Sequence, residues 1–160
     1  MMTPQTTVKI REFMPGDEGI FRRLNEEWIT RYFAIEPKDE ASFSDPQRSI
    51  LDGGGRIFFA VRQGEVVGCC ALLARSAREF EVAKMAVSES CRREGIARHL
   101  LETVIAEAHA SGATRLYLET NKKLLPAIRL YQSLGFQHLR PERIIASPYA
   151  RADVYMELCL

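Results

Sequence analysis

Charge of one sign is what this sequence most plainly lacks: 22 Lys and Arg stand against 21 Asp and Glu, a formal net charge of +1. A broad nucleic-acid footprint needs a clustered excess of Lys and Arg, so the balance argues against nucleic acid as a partner. Long apolar runs are missing too. None approaches the ~20 residues of a membrane span, and Met1–Ile10 has no apolar stretch of the secretory-leader kind, which points to the cytoplasm. Cysteine is sparse and poorly spaced for metal or redox work: Cys69 and Cys70 are adjacent, Cys91 and Cys159 stand alone, and no C-x-x-C occurs. His99, His109 and His138 share no ligand spacing, so no metal is expected. The cysteines read as reduced thiols packed as small hydrophobes, with one of the adjacent pair turned inward from a strand. Repeats, low-complexity tracts and linkers are absent as well. With 46% hydrophobic and 27% charged residues, residues 1–160 read as one globular domain with a core of its own.

What is present is an alternation of strand and helix signals. Val8–Phe13 has the period of two of a strand, and Ile20, Phe21, Leu24, Trp28 and Ile29 share one face of a helix. Glu36-Pro37 breaks that pattern. A second short helix is expected over Glu40–Leu51, ended by Gly53-Gly54-Gly55. Ile57–Arg62 and Val66–Leu73 read as strands joined by a hairpin turn at Gln63-Gly64-Glu65, with a further strand at Phe80–Val87. Ile96, Leu100, Leu101, Val104, Ile105 and Ala108 fall at helical spacing, with Gly112 as the stop. Arg115–Thr120 is a strand, and Pro126 suits the first turn of a helix bearing Ala127, Leu130, Tyr131 and Leu134. Phe136–Leu139 and Asp153–Leu158 are β-capable. The sum is an α/β chain in which hairpin-connected strands precede a strand–helix–strand–helix unit.

Chemistry concentrates after Phe80. Glu81-Val82-Ala83-Lys84-Met85-Ala86-Val87 leads through Arg92-Arg93-Glu94-Gly95-Ile96-Ala97 into a helix. The first N–H groups of a helix have no intrahelical partner and its dipole adds partial positive charge, so such a turn is an anion site. Gly95 and Ala97 keep bulk off the backbone, while Arg92 and Arg93 add charge at the rim. Alone, an R-x-x-G-x-A string equally describes a loop that only caps a helix. Farther on come Leu116-Tyr117-Leu118-Glu119-Thr120-Asn121, Ala127, and Tyr131-Gln132-Ser133-Leu134-Gly135-Phe136.

Together these segments resemble the GNAT (Gcn5-related) N-acetyltransferase superfamily. Its turn, its L-x-T-N strand end and its Y-x-x-x-G-F helix end all recur, closely over Phe80–Phe136 and in element order over the whole chain. Asn25-Glu26-Glu27-Trp28, Tyr32-Phe33, Glu36-Pro37 and the run from Ser147 to Met156 extend the likeness to the acetyltransferase portion of bacterial helix-turn-helix/GNAT fusion proteins. The resemblance implies a mixed, mostly antiparallel central sheet of the α+β type, splayed at an acetyl-CoA cleft and flanked by helices. It also implies acetyl-CoA as co-substrate. Met85, Ala86 and Val87 would pair with the pantetheine arm, Arg92, Arg93, Glu94, Gly95, Ile96 and Ala97 would hold the pyrophosphate, and Asn121 and Ala127 would line the cofactor wall. Arg93 and Glu94 stand where the family often has glycine, and a carboxylate at position 94 suits a phosphate only if it points to solvent.

For the reaction, the resemblance implies Tyr131 as the acid for the leaving thiolate and Glu81 as the base for the acceptor ammonium. The residues alone also allow a packed tyrosine and a solvated strand-end carboxylate, with water taking the proton. Trp28, Tyr32, Glu36, Tyr149, Arg151 and Asp153 are the expected acceptor-binding residues, although aromatics at helical spacing equally serve a core. Arg151 would take a substrate carboxylate, and Asp153 or Glu36 an ammonium. The expected activity is N-acetylation of a small amine of the amino-acid kind. Acetylation of protein N-termini or lysines, and a non-catalytic acyl-CoA sensor, are the alternatives. A homodimer through the Asp153–Leu158 edge is a further expectation.

Overall fold

A computed structural model describes residues 7–160. The β-rich segments form strands β1 (Val8–Glu12), β2 (Arg56–Arg62), β3 (Glu65–Ala74), β4 (Glu79–Val87), β5 (Arg115–Thr120), β6 (Gln137–His138) and β7 (Val154–Cys159). They lie side by side in the order β1-β2-β3-β4-β5-β7-β6. Every neighbouring pair is antiparallel except β4 and β5, which run parallel. Parallel strands need a crossover, and the helix after β4 supplies it.

Four α-helices cover the sheet: α1 (Glu18–Tyr32), α2 (Pro37–Ser44), α3 (Ile96–Ala110) and α4 (Leu125–Ser133). Leu100, Leu101 and Val104 of α3 and Ile128 of α4 share one core with Phe58, Leu72 and Leu116 of the sheet. On the other face Phe21 and Ile29 of α1 and Phe43 of α2 pack with Ile57 and Phe59. Because both faces are covered, Cys69 and Cys70 are both fully buried, one in each core. The expectation that only one would point inward fails for this reason: opposite faces of this sheet are equally interior.

Other differences are local. The Gln63–Gly64 turn is a two-residue hairpin with φ of 51° and 78°, and Glu65 already pairs with Arg62. That positive-φ pair matches the twist of the flanking strands. The helix expected over 40–51 is instead two pieces. Pro37 opens α2 at its first position, and the Glu36 N–H donates to Asp39 Oδ2 at 3.0 Å. Asp45 precedes Pro46 and is pushed out of helical geometry (φ −150°, ψ 80°). A separate wide turn over Gln47–Leu51 follows, closed by the Asp52 N–H on the Gln47 carbonyl at 2.8 Å. The strand expected over 136–139 shrinks to two residues, which cover only Met156 and Glu157 of β7.

The feature that shapes the site is an irregularity in β4. Cys69 pairs with Ala86 and Ala71 with Ala83, so Cys70 alone faces two residues, Lys84 and Met85. Lys84 carries the bulge with φ of +52°. A bulge shifts the side-chain alternation by one. Val82 before it and Met85 and Val87 after it all join the core under α3, whereas Ala86 joins the core under α1. The Lys84 side chain thereby turns to α2.

Candidate active site

β4 and β5 pair only from Glu79–Arg115 to Val82–Leu118. Beyond that point β4 runs on along β3 to Val87, and β5 runs on along β7 to Thr120. The two strands part, and a cleft of about 680 Å³ opens between their facing edges. Backbone edges that face each other without pairing are suited to an extended, amide-bearing ligand, which can add to them as a strand would.

One end of the cleft lies between the parted edge of β4 and the start of α3. Met85, Ala86 and Val87 line it, as do Arg92, Arg93, Gly95, Ile96 and Ala97. Gly95 caps α3 with φ of +76°, and the first helical bond runs from the His99 N–H to the Gly95 carbonyl at 3.1 Å. The N–H groups of Ile96, Ala97 and Arg98 therefore precede the first intrahelical donor at the cleft wall. A Cβ on Gly95 would meet nothing within 4 Å, so the glycine is required by its left-handed backbone rather than by crowding. Arg93, at φ of +67°, holds the same kind of conformation without that freedom. Arg92 and Arg93 are exposed and make no ion pair among the described residues. Glu94 does not line the cleft: it pairs outward with Arg62. Asn121 and Ala127 do line it, but the Asn121 amide is spent on the Arg151 carbonyl at 2.7 Å, tying the end of β5 to the segment before β7.

Glu81 and Tyr131 also line the cleft. Burial pushes the Glu81 carboxyl above the ordinary glutamate range; Arg75, bonded at 2.7 Å, opposes this and the neighbouring Glu119 adds to it. Only Oε1 of Glu81 is engaged by Arg75. Tyr131 packs edge-on against Phe136 with centroids 5.9 Å apart, and its hydroxyl makes no hydrogen bond among the described residues. Burial pushes its phenol up, so it holds its proton at neutral pH. A carboxylate and a protonated phenol thus share one cavity.

The far end is built from side chains. Trp28, Tyr32, Tyr149 and Arg151 line the cleft there, whereas Glu36 and Asp153 do not. Glu36 accepts the Ala150 N–H at 3.0 Å and lies 3.2 Å from Arg151, holding the loop to α2. Asp153 accepts the Lys122 N–H at 2.9 Å. Two residues that the sequence pattern did not single out organise this end. Asp39 is fully buried and takes both forks of Arg151, at 2.7 and 2.6 Å, together with the Lys84 ammonium at 2.6 Å. Burial alone would raise the Asp39 carboxyl, but the hydrogen bonds from Arg151 and Lys84 outweigh it and hold it at about 2. Burial likewise pushes the Lys84 ammonium down, with Asp39 opposing; at 2.6 Å from an ionised carboxylate we take Lys84 as charged. One sequence signal was available for each. Asp39 stands at the third position of a helix opened by Glu36-Pro37, and Lys84 is the lone cation in an otherwise apolar half-strand.

The family model described as Acetyltransferase (GNAT) family matches residues 20–136. The chain belongs to this family. The uncharacterized N-acetyltransferase YsnE of Bacillus subtilis (strain 168) is 39% identical over 94 residues, which are 57% of this chain and 62% of that protein's own length. The IAA acetyltransferase of Azospirillum brasilense is 38% identical over 136 residues, 84% of this chain and 87% of that one. The fold superposes on that of yncA from Salmonella typhimurium, solved with its cofactor acetyl-CoA, with a TM-score of 0.72 at 17% identity, over 96% of this chain and 94% of that one. GNAT members are acetyl-CoA-dependent acyltransferases, and the splayed sheet described above is their architecture. No helix among the described residues is long and apolar enough to cross a membrane.

Proposed function

We propose that the chain transfers an acetyl group from acetyl-CoA to the primary amine of a small molecule of the amino-acid kind, by direct attack with both substrates bound. The observation that carries this reading is the presence of Glu81 and Tyr131 on one cleft, at the place where β4 leaves β5. The cleft edge at Met85, Ala86 and Val87 and the turn from Arg92 to Ala97 are suited to the pantetheine arm and the pyrophosphate, with Glu94 turned out of the way. Acetyl-CoA supplies the acetyl group as a thioester.

Glu81 takes a proton from the acceptor ammonium through its free carboxylate oxygen, directly or through water. The amine nitrogen then forms a bond to the acetyl carbon as the carbon–sulfur bond breaks, and the nitrogen sheds its second proton to solvent. Tyr131 gives its proton to the departing sulfur and recovers one from solvent. A small acceptor is favoured over a protein segment because the far end is lined by side chains that pack on one another. Arg151 lies over the rings of Trp28 and Tyr149, 5.9 and 4.6 Å from their centroids.

The test is thiol release from acetyl-CoA across a panel of small amines and peptides. We expect turnover on small amines, and a fall in kcat of about 10²-fold or more for Tyr131→Phe with little change in acetyl-CoA binding. Wild-type kcat in Tyr131→Phe would remove the acid role. Saturable acetyl-CoA binding without thiol release on any acceptor would make the chain an acyl-CoA sensor instead.

A further inference from the structure

The sequence suggests a substrate carboxylate for Arg151, but in the structure that guanidinium spends three of its five donors on the protein's own carboxylates. Its Nη1 donates to Asp39 Oδ2 and Glu36 Oε2, and its Nη2 to Asp39 Oδ1. Asp39 is saturated: Oδ1 accepts from Arg151 and Lys84, and Oδ2 from Arg151 and the Glu36 N–H. Lys84 differs. An ammonium has three donors, and two are used, on Asp39 at 2.6 Å and on the Tyr149 hydroxyl at 3.0 Å. The third is unspent, and the residue lines the cleft.

Charge points the same way. Lys84 and Arg151 stand against Asp39 and half-buried Glu36, so the web is formally neutral; with Glu36 on the far side of Arg151, Lys84 is where its positive charge meets the cleft. Across the same end of the cleft stand Glu81 and Glu119. Both Glu119 oxygens are occupied by the hydroxyls of Ser147 and Tyr117, which leaves its negative charge fixed in place. The bulge at Lys84 is what brings the two signs together. In an unbroken strand, positions 81 and 84 point to opposite faces; here both side chains reach one cavity. A cavity with carboxylates at one side and a buried ammonium at the other matches a zwitterion.

Resting on the proposed acetyltransferase reading, we propose that Lys84, positioned by Tyr149 and Asp39, binds the carboxylate of the acceptor, which is therefore a free amino acid rather than a simple amine. A charge-assisted hydrogen bond made in a buried site discriminates by about 10- to 100-fold against a ligand that lacks the charge.

The experiment is calorimetric binding of the standard L-amino acids and their C-terminal amides to the full chain saturated with coenzyme A. At least one amino acid is expected to bind about 10- to 100-fold more tightly than its amide. Lys84→Met should abolish that preference, and Tyr149→Phe, which leaves the Lys84–Asp39 pair intact, should reduce it. Should Lys84→Met not fold, the double variant Lys84→Met/Asp39→Asn, in which neither charge is left facing an apolar partner, carries the same expectation. The assignment is overturned if no amino acid binds better than its amide, or if Lys84→Met keeps the preference. Thiol release is followed in parallel. Its absence on every amine would remove the acetyltransferase reading, while the binding difference still decides the carboxylate site.

Discussion

The two ends of the cleft are made of different material. At the α3 end the wall offers backbone groups: the parted edge of β4, a left-handed glycine, and the first N–H groups of a helix. At the α2 end it is a web of side chains in which Asp39, Lys84, Tyr149 and Arg151 satisfy one another. Backbone groups are the same whatever the sequence, so the first end can keep one ligand through wide sequence change. Side chains can be exchanged singly, so the second end is where members of one fold can come to differ in acceptor.

The contrast can be broken most severely at Asp39. Asp39→Ala leaves the buried Lys84 and the half-buried Arg151 without their shared partner, and the expected loss is about 3–5 kcal/mol of unfolding free energy in urea titration. Such a loss would exceed that of truncating any exposed side chain in the Arg92–Ala97 turn. Glu81→Gln should lower kcat by about 10²-fold while leaving acetyl-CoA binding in place. In the wild type, activity should rise with pH through a value above the usual glutamate range, because burial raises the Glu81 carboxyl and only its ionised form accepts a proton. That limb should vanish in Glu81→Gln.

A smaller effect is expected in acid. The Asp39 carboxyl is held at about 2, below its ordinary 3.8. A depressed carboxyl contributes stability above its unfolded value, so a contribution on the order of 2 kcal/mol should fade as pH falls from about 4 toward 2. Chemical denaturation across that range, with Asp39→Asn as the reference lacking the effect, measures it. The least effect belongs to the backbone-built end. Arg92→Ala, an exposed side chain with no ion pair among the described residues, should raise the KM for acetyl-CoA only several-fold. A loss of 100-fold there would mean that this end, too, depends on side chains.

The same contrast explains what could be read in advance. The turn at 92–97, the strand end at 118–121 and the helix end at 131–136 are each contiguous, so their spacing carries the cleft's backbone-built end and the order of elements around it. Glu94 is the exception there, since only the fold shows Arg62 of β2 reaching across to it. The side-chain end brings together positions 36–39, 84 and 149–151, which no local period connects. Arg151 lines the cleft, yet its guanidinium lies on Asp39 and Glu36, 112 and 115 positions away in the chain. Strict alternation puts Lys84 on the face opposite Glu81, and a bulge leaves no composition signal of its own. Trp28 and Tyr149 line the cleft and at the same time pack on Arg151.

The extra residue in β4 works as a reading-frame shift works in a coding strand. Upstream of Lys84 the odd positions belong to the α2 layer; downstream of it the even ones do. Deleting Lys84 would restore regular pleating and leave every later side chain in its own layer, Met85 and Val87 under α3 and Ala86 under α1, with Met85 alone opposite Cys70. An insertion on β3 opposite the same point would instead pair the extra residue and exchange every later side chain of β4 between layers, sending Met85 and Val87 into space shaped for Ala86. The two layers are therefore set without the extra residue, and the ammonium is what it adds.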